Sequence, residues 1–176
     1  AEILLGIKEG LLLSLLIHNK FEGKIIHEFK YSDFKPVSRV KSVLISFLKR
    51  EKHLVAKEDE KLFKDFISFI IMQQKPEIIQ RLERLISPRA SVEILKASGI
   101  NIHSSLYEIP KAKYFELFEN FKLNLKPFHH KVNNSYAQYE KVNQSNVKIY
   151  KTRSAPKNEI PRPHNQRSRR NSQTRR

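Results

Sequence analysis

The sequence predicts an all-α protein: a compact bundle of about six helices over residues 1–130, then a disordered basic tail over 131–176. Three observations predict it. Apolar residues recur at three-and-four spacing through most of the first 130 positions, as one face of a helix requires. Pro36, Pro76, Pro88 and Pro110 each head such a run, where a proline's missing N–H costs nothing. Large apolar residues then thin out: all eleven Phe, every Leu, all four Gly and the single Met lie at or before Phe128.

The first element is an apolar stretch from Ile3 to Ile17, interrupted by Gly6, Lys8, Glu9 and Gly10. It is shorter than the roughly 20 apolar residues of a membrane span, and no small-residue cleavage site follows it. It reads as a buried helix. Leu11, Leu12, Leu13, Leu15, Leu16 and Ile17 are apolar around nearly its whole circumference, so either the bundle wraps it or a partner covers the remainder. The first residue is Ala1, which means that the initiator has been removed or that the chain is a piece of a longer protein; the second is preferred.

From Phe21 to Phe34 the pattern stays open, because "GKIIHEFKY" fits a short helix or a strand equally. Pro36 opens a helix expected to run to residue 53, carried by Val40, Val43, Leu44, Phe47 and Leu48. Glu58, Asp59 and Glu60 place negative charge where a helix dipole favours it, ahead of Leu62, Phe63, Phe66, Ile67, Phe69, Ile70 and Ile71. That helix is the expected centre of the core. Pro76 begins a stripe of Ile78, Ile79, Leu82, Leu85 and Ile86. Ser87 and Pro88 read as cap and first turn of a helix that Gly99 terminates. Pro110 starts the last helix, with Tyr114, Phe115, Leu117, Phe118 and Phe121 on one face. No repeat of fixed period aligns these segments, so a closed bundle is preferred to a solenoid.

Residues Val92–Ile109 resemble a helix-turn-helix in outline, with Ser104 to Tyr107 opening the second helix. The spacing after Gly99 is one residue too long, and Pro110 restricts that helix to about one and a half turns. A helix, its glycine cap and a loop is the preferred reading.

With no cysteine there is no disulfide framework, thiolate metal site or cysteine nucleophile. The seven histidines form no i, i+4 pair around a glutamate, and no carboxylates cluster at ligand spacing, so no metal is expected. Asp33, Asp59 and Asp65 are the only aspartates, and there is neither a glycine-rich phosphate loop nor a nucleophile elbow. No catalytic residue and no cofactor is expected, although a site assembled from distant residues leaves no such trace.

The tail carries the functional expectation. Twelve Lys and Arg against Glu140 and Glu159 supply +10 of the chain's net +16 within residues 131–176. Ordering a residue costs roughly 1–2 kcal/mol of backbone entropy, which this composition cannot offset by burial. Lysines come first, then only arginines from Arg162. The expected nucleic-acid contacts are Lys148, Lys151, Arg153, Lys157, Arg162, Arg167, Arg169, Arg170, Arg175 and Arg176, with Tyr136, Tyr139 and Tyr150 stacking on unpaired bases. Ser172, after Arg169 and Arg170, fits a basic-directed phosphorylation site. These features predict a non-enzymatic, intracellular binding protein, nuclear or cytoplasmic. Its tail would hold RNA or DNA without sequence preference, and its helices would dock on a protein partner or a second copy. The alternative is an interaction scaffold whose tail is a nuclear localisation signal.

Overall fold

The computed structural model describes residues 10–146. Helix α1, Leu11–Lys20, starts after Gly10, whose φ of 102° lies in the left-handed region that glycine tolerates best. Its Leu11, Leu12 and Leu15 are buried, while Leu13 remains 48% exposed. The bundle therefore wraps this helix on one side only, and residues 3–9 of the expected helix lie outside the described residues.

The chain then leaves the helical body as an antiparallel hairpin, β1 Phe21–Phe29 and β2 Ser42–Lys49. Phe21 pairs with Lys49 and Ile25 with Ile45; a bulge at Ile26 shifts the register so that His27 meets Leu44. This corrects the expected helix over 36–53 and the all-α class. Val40, Val43, Leu44, Phe47 and Leu48 do fall at helical spacing. The same stretch also alternates, with Val43, Ile45 and Phe47 on one side and Leu44, Ser46 and Leu48 on the other, and pairing with β1 selects that reading. The open segment after Phe21 is the strand that makes the pairing possible.

Helix α2, Glu60–Met72, forms where the acidic start and apolar run predict it, and Phe63, Phe66, Ile67 and Ile70 are fully buried. A short helix α3, Ile78–Leu82, carries the next stripe; beyond it Leu85 and Ile86 are buried in turns rather than in helix. Arg81 donates from one guanidinium nitrogen to the carbonyls of Ile70 (2.9 Å) and Ile71 (3.0 Å), satisfying the open end of α2. Helix α4, Pro88–Ala97, begins with the Ser87 hydroxyl accepting from the Ala90 N–H. It ends with Gly99 at φ 62°, Gly99 N–H donating to Lys96 and Ile100 N–H to Leu95. Those two bonds are the Schellman closure. No second helix follows before Pro110, so residues 92–109 are not a helix-turn-helix. Ile78 N–H instead donates to the Ser104 carbonyl and Glu77 bridges Ser105.

Helix α5, Lys111–Asn124, lays its aromatic face on α2. Phe66 stacks on Phe121 with centroids 4.2 Å apart, Phe63 stacks on Phe115 at 5.3 Å, and Phe118 meets Phe63 edge-on. These offset and edge geometries are the favourable aromatic contacts. The buried Tyr114 phenol donates to the Leu106 carbonyl at 2.6 Å, and burial pushes its pKa well above the ordinary value.

The folded body does not stop at residue 130. Helices α6, His129–Val132, and α7, Ser135–Asn146, continue it: Val132 is fully buried and Tyr136 and Tyr139 pack on the core. The boundary expected at Lys131 is therefore too early. Buried Asp65 accepts the Tyr136 N–H at 2.9 Å, giving the first turn of α7 an acceptor from a helix 71 positions away. No helix among the described residues is long and apolar enough to cross a membrane.

Candidate nucleic-acid interface

Residues 30–41, which join the two strands, carry Lys30, Lys35, Arg39 and Lys41, all exposed. Their single acid, Asp33, is engaged locally, its carboxylate accepting the Lys30 N–H at 2.8 Å. Aromatic rings sit among these cations: Phe29 lies 4.7 Å from His27 edge-on and 5.5 Å from Phe34, while Tyr31 is exposed. Rings for stacking beside cations for phosphate are what an unpaired RNA segment requires. The loop is shaped by a 3-10 turn, Tyr31–Asp33, and by Ser38, whose N–H donates to the Tyr31 carbonyl.

The root of the hairpin is held more firmly. Arg50 N–H donates to the Lys20 carbonyl at 2.9 Å, Leu54 N–H to the Asn19 carbonyl, and Val55 N–H to the buried Asn19 side chain at 2.7 Å. The Arg50 Nε donates to the His18 carbonyl at 3.1 Å. Lys20 also reaches Glu60 at 2.8 Å, and that bond holds the Glu60 carboxyl below its ordinary pKa.

Two clefts open elsewhere on the body. One, of about 430 Å³, is bordered by Lys52, His53, Lys57, Glu119 and Lys122; the other, of about 360 Å³, by Glu58, Lys61, Asp65, His129 and His130. Both are open to solvent, and among the described residues no three His, Asp or Glu side chains converge as metal ligands.

Of the contacts expected from the sequence, Tyr136 and Tyr139 fall within the described residues. Both are half-buried on α7 rather than offered to a base; Lys64 lies 5.7 Å over the Tyr136 ring, and a hydrogen bond with Glu140 raises its phenol pKa. Lys148, Tyr150, Lys151, Arg153, Lys157, Arg162, Arg167, Arg169, Arg170, Ser172, Arg175 and Arg176 lie outside the described residues. The hairpin loop was the missed candidate. Its signal, rings interleaved with lysines in "FKYSDFK", is the one that marks the tail, but with the segment open between helix and strand its rings and lysines have no common surface in the sequence alone.

The fold is shared with an RNA-modifying enzyme. Over 63% of this chain it superimposes on the crystal structure of the 23S rRNA methyltransferase ErmE with a TM-score of 0.57, at 18% sequence identity. The superposition takes in 46% of that chain, so this protein spans less than half of the methyltransferase's length. Residues 5–123 match the profile of the ribosomal RNA adenine dimethylase family, and the chain belongs to that family. No curated protein matches it.

These findings overturn the expected non-enzymatic binder and, with it, the interaction scaffold with a nuclear localisation signal. They also replace the all-α class with an α/β methyltransferase architecture, of which the hairpin supplies the sheet seen here. The motifs sought in the sequence were those of hydrolases, metal sites and phosphate loops. Membership of this family requires none of them, so their absence excluded no enzyme of this class.

Proposed function

We propose that this chain is part of an enzyme that dimethylates an adenine of ribosomal RNA, and that the residues described here serve mainly to engage the RNA. The observation that carries this is the family match over residues 5–123. The exposed cations and rings of the hairpin loop support it, because a structured RNA presents both phosphates and unstacked bases. On this reading the tail, from Lys148 to Arg176, adds affinity without sequence preference, and the protein works wherever ribosomal RNA is found in the cell.

A dimethylase needs a methyl donor. Among the described residues neither cleft is enclosed and no glycine-rich turn cradles such a group, so the residues seen here do not fit it and no step is assigned through it.

Disrupting the gene and digesting ribosomal RNA to nucleosides tests the activity: dimethyladenosine should fall by one site's worth in mass spectrometry. Unchanged dimethyladenosine overturns the proposal. For the chain itself, raising salt from about 50 to 200 mM should weaken RNA binding by on the order of a thousandfold if about six phosphates are neutralised.

A further inference from the structure

Two cations, Arg50 and Lys111, and the His18 imidazole lie where the hairpin meets the helical body, and they come from three different elements. His18 lies in the last turn of α1, Arg50 follows the end of β2, and Lys111 is the first residue of α5. Arg50 is fixed by its bond to the His18 carbonyl, and the His18 ring sits 5.9 Å from that of Phe115, one turn along α5 from Lys111. All three residues are half-buried. Arg50 has a loose ion pair with Glu22, whose largely exposed carboxylate stands 4.0 Å away, too far for a hydrogen bond.

The charge arrangement runs against the usual rule for a helix start. The first turn of α5 holds Lys111 and Lys113 and no acid, although the dipole there favours negative charge. Lys113 is engaged by Glu116 at 2.6 Å, but Lys111 has no carboxylate partner among the described residues. Burial lowers the pKa of Lys111 with no neighbouring anion to offset it. The His18 pKa is lowered by burial first, then by Arg50 and Lys111, with Glu22 opposing weakly. Like charges brought together and partly desolvated destabilise one another until an anion enters.

We propose that His18, Arg50 and Lys111 form a docking site for one backbone phosphate of the RNA, at the junction of hairpin and helical body. The site rests on the functional reading above and adds a place to it. Arg50 supplies a planar fork suited to two phosphate oxygens, Lys111 a point charge, and His18 an N–H donor that gains a proton as the phosphate arrives. The loop at the far end of the hairpin would then meet bases while the root holds the strand behind them.

The test uses the 176-residue chain, a fluorescent 20-nucleotide RNA and a salt series followed by anisotropy. Lys111→Gln should weaken binding about tenfold and reduce the slope of log affinity against log salt by about 0.7–0.9. Lys75→Gln, at an exposed lysine outside the site, should leave both unchanged. Thermal unfolding of Lys111→Gln should occur at the same or a higher temperature, since a repelled charge has been removed. NMR of the His18 imidazole should show its pKa rising when RNA is added, and rising less in Lys111→Gln.

An unchanged slope and affinity in Lys111→Gln, while the parent chain binds RNA, overturns the phosphate site and leaves the functional reading standing. A parent chain that binds no RNA overturns both. A His18 shift with inorganic phosphate but none with RNA assigns the cations to a free anion and sinks the RNA site.

Discussion

The hairpin and the helical body are written in similarly apolar sequence and use it in opposite ways. In α2, Phe63, Phe66, Ile67 and Ile70 have no exposed surface, and α5 answers them with Leu117, Phe118 and Phe121. In the hairpin, Ile25, Ile26, Phe29, Leu44, Phe47 and Leu48 are all exposed, Leu48 by 68%, and they project from both faces of a two-stranded ribbon. Such a ribbon is marginal by itself in water. The body thus consumes its hydrophobic pattern internally, whereas the ribbon is stable here because its root is tied at Asn19, Lys20 and Arg50. Burial, not composition, separates the part that makes the stability from the part that is carried by it.

The largest test of this contrast is Phe118→Ala, which removes a fully buried ring touching Phe63 and Phe66. It should cost about 3–5 kcal/mol in urea unfolding, a large share of the roughly 5–15 kcal/mol that holds an ordinary domain folded. Asn19→Ala should come next, at about 1–3 kcal/mol, because the buried Val55 N–H loses its acceptor. Asp65→Ala should cost about 1–2 kcal/mol, and hydrogen exchange should quicken at Tyr136 and along α7 while α2 and α4 stay protected. By comparison, Ile26→Ser on the bulge should change stability by no more than about 0.5 kcal/mol; a loss as large as that of Phe118→Ala would erase the distinction between the two regions.

The smallest effect concerns acid. Glu60 has a depressed carboxyl pKa, chiefly from its hydrogen bond with Lys20, so the folded state favours the charged form. Its contribution is present above the ordinary carboxylate pKa and is lost as pH falls through the lower, folded value. Stability measured against pH should show a shallow decline there, and Glu60→Gln should flatten it.

Much of the body was legible in the sequence because its elements carry their own punctuation. The acids before α2, the Ser87–Pro88 start, the Gly99 stop and Pro110 before α5 all act within a few residues of the structure they define. The hairpin was not legible, since Leu44 and Phe47 satisfy two periods at once and only pairing with β1 decides between them. Helix α7 escaped for a related reason. Its segment lacks Leu and Phe, but Val132, Tyr136 and Tyr139 need only cover a core that already exists, and its first turn borrows Asp65 from α2. The family was hidden too, because exposed lysines and rings such as those of "FKYSDFK" have no required spacing.

The bonds at Asn19, Lys20 and Arg50 close a circuit whose two ends enter and leave the helices side by side. For a circuit closed in this way, doubling the length of the far loop costs only about 0.6 kcal/mol of closure entropy. Residues 30–41 are therefore the place where the protein can gain or lose segments while the architecture behind them stays intact.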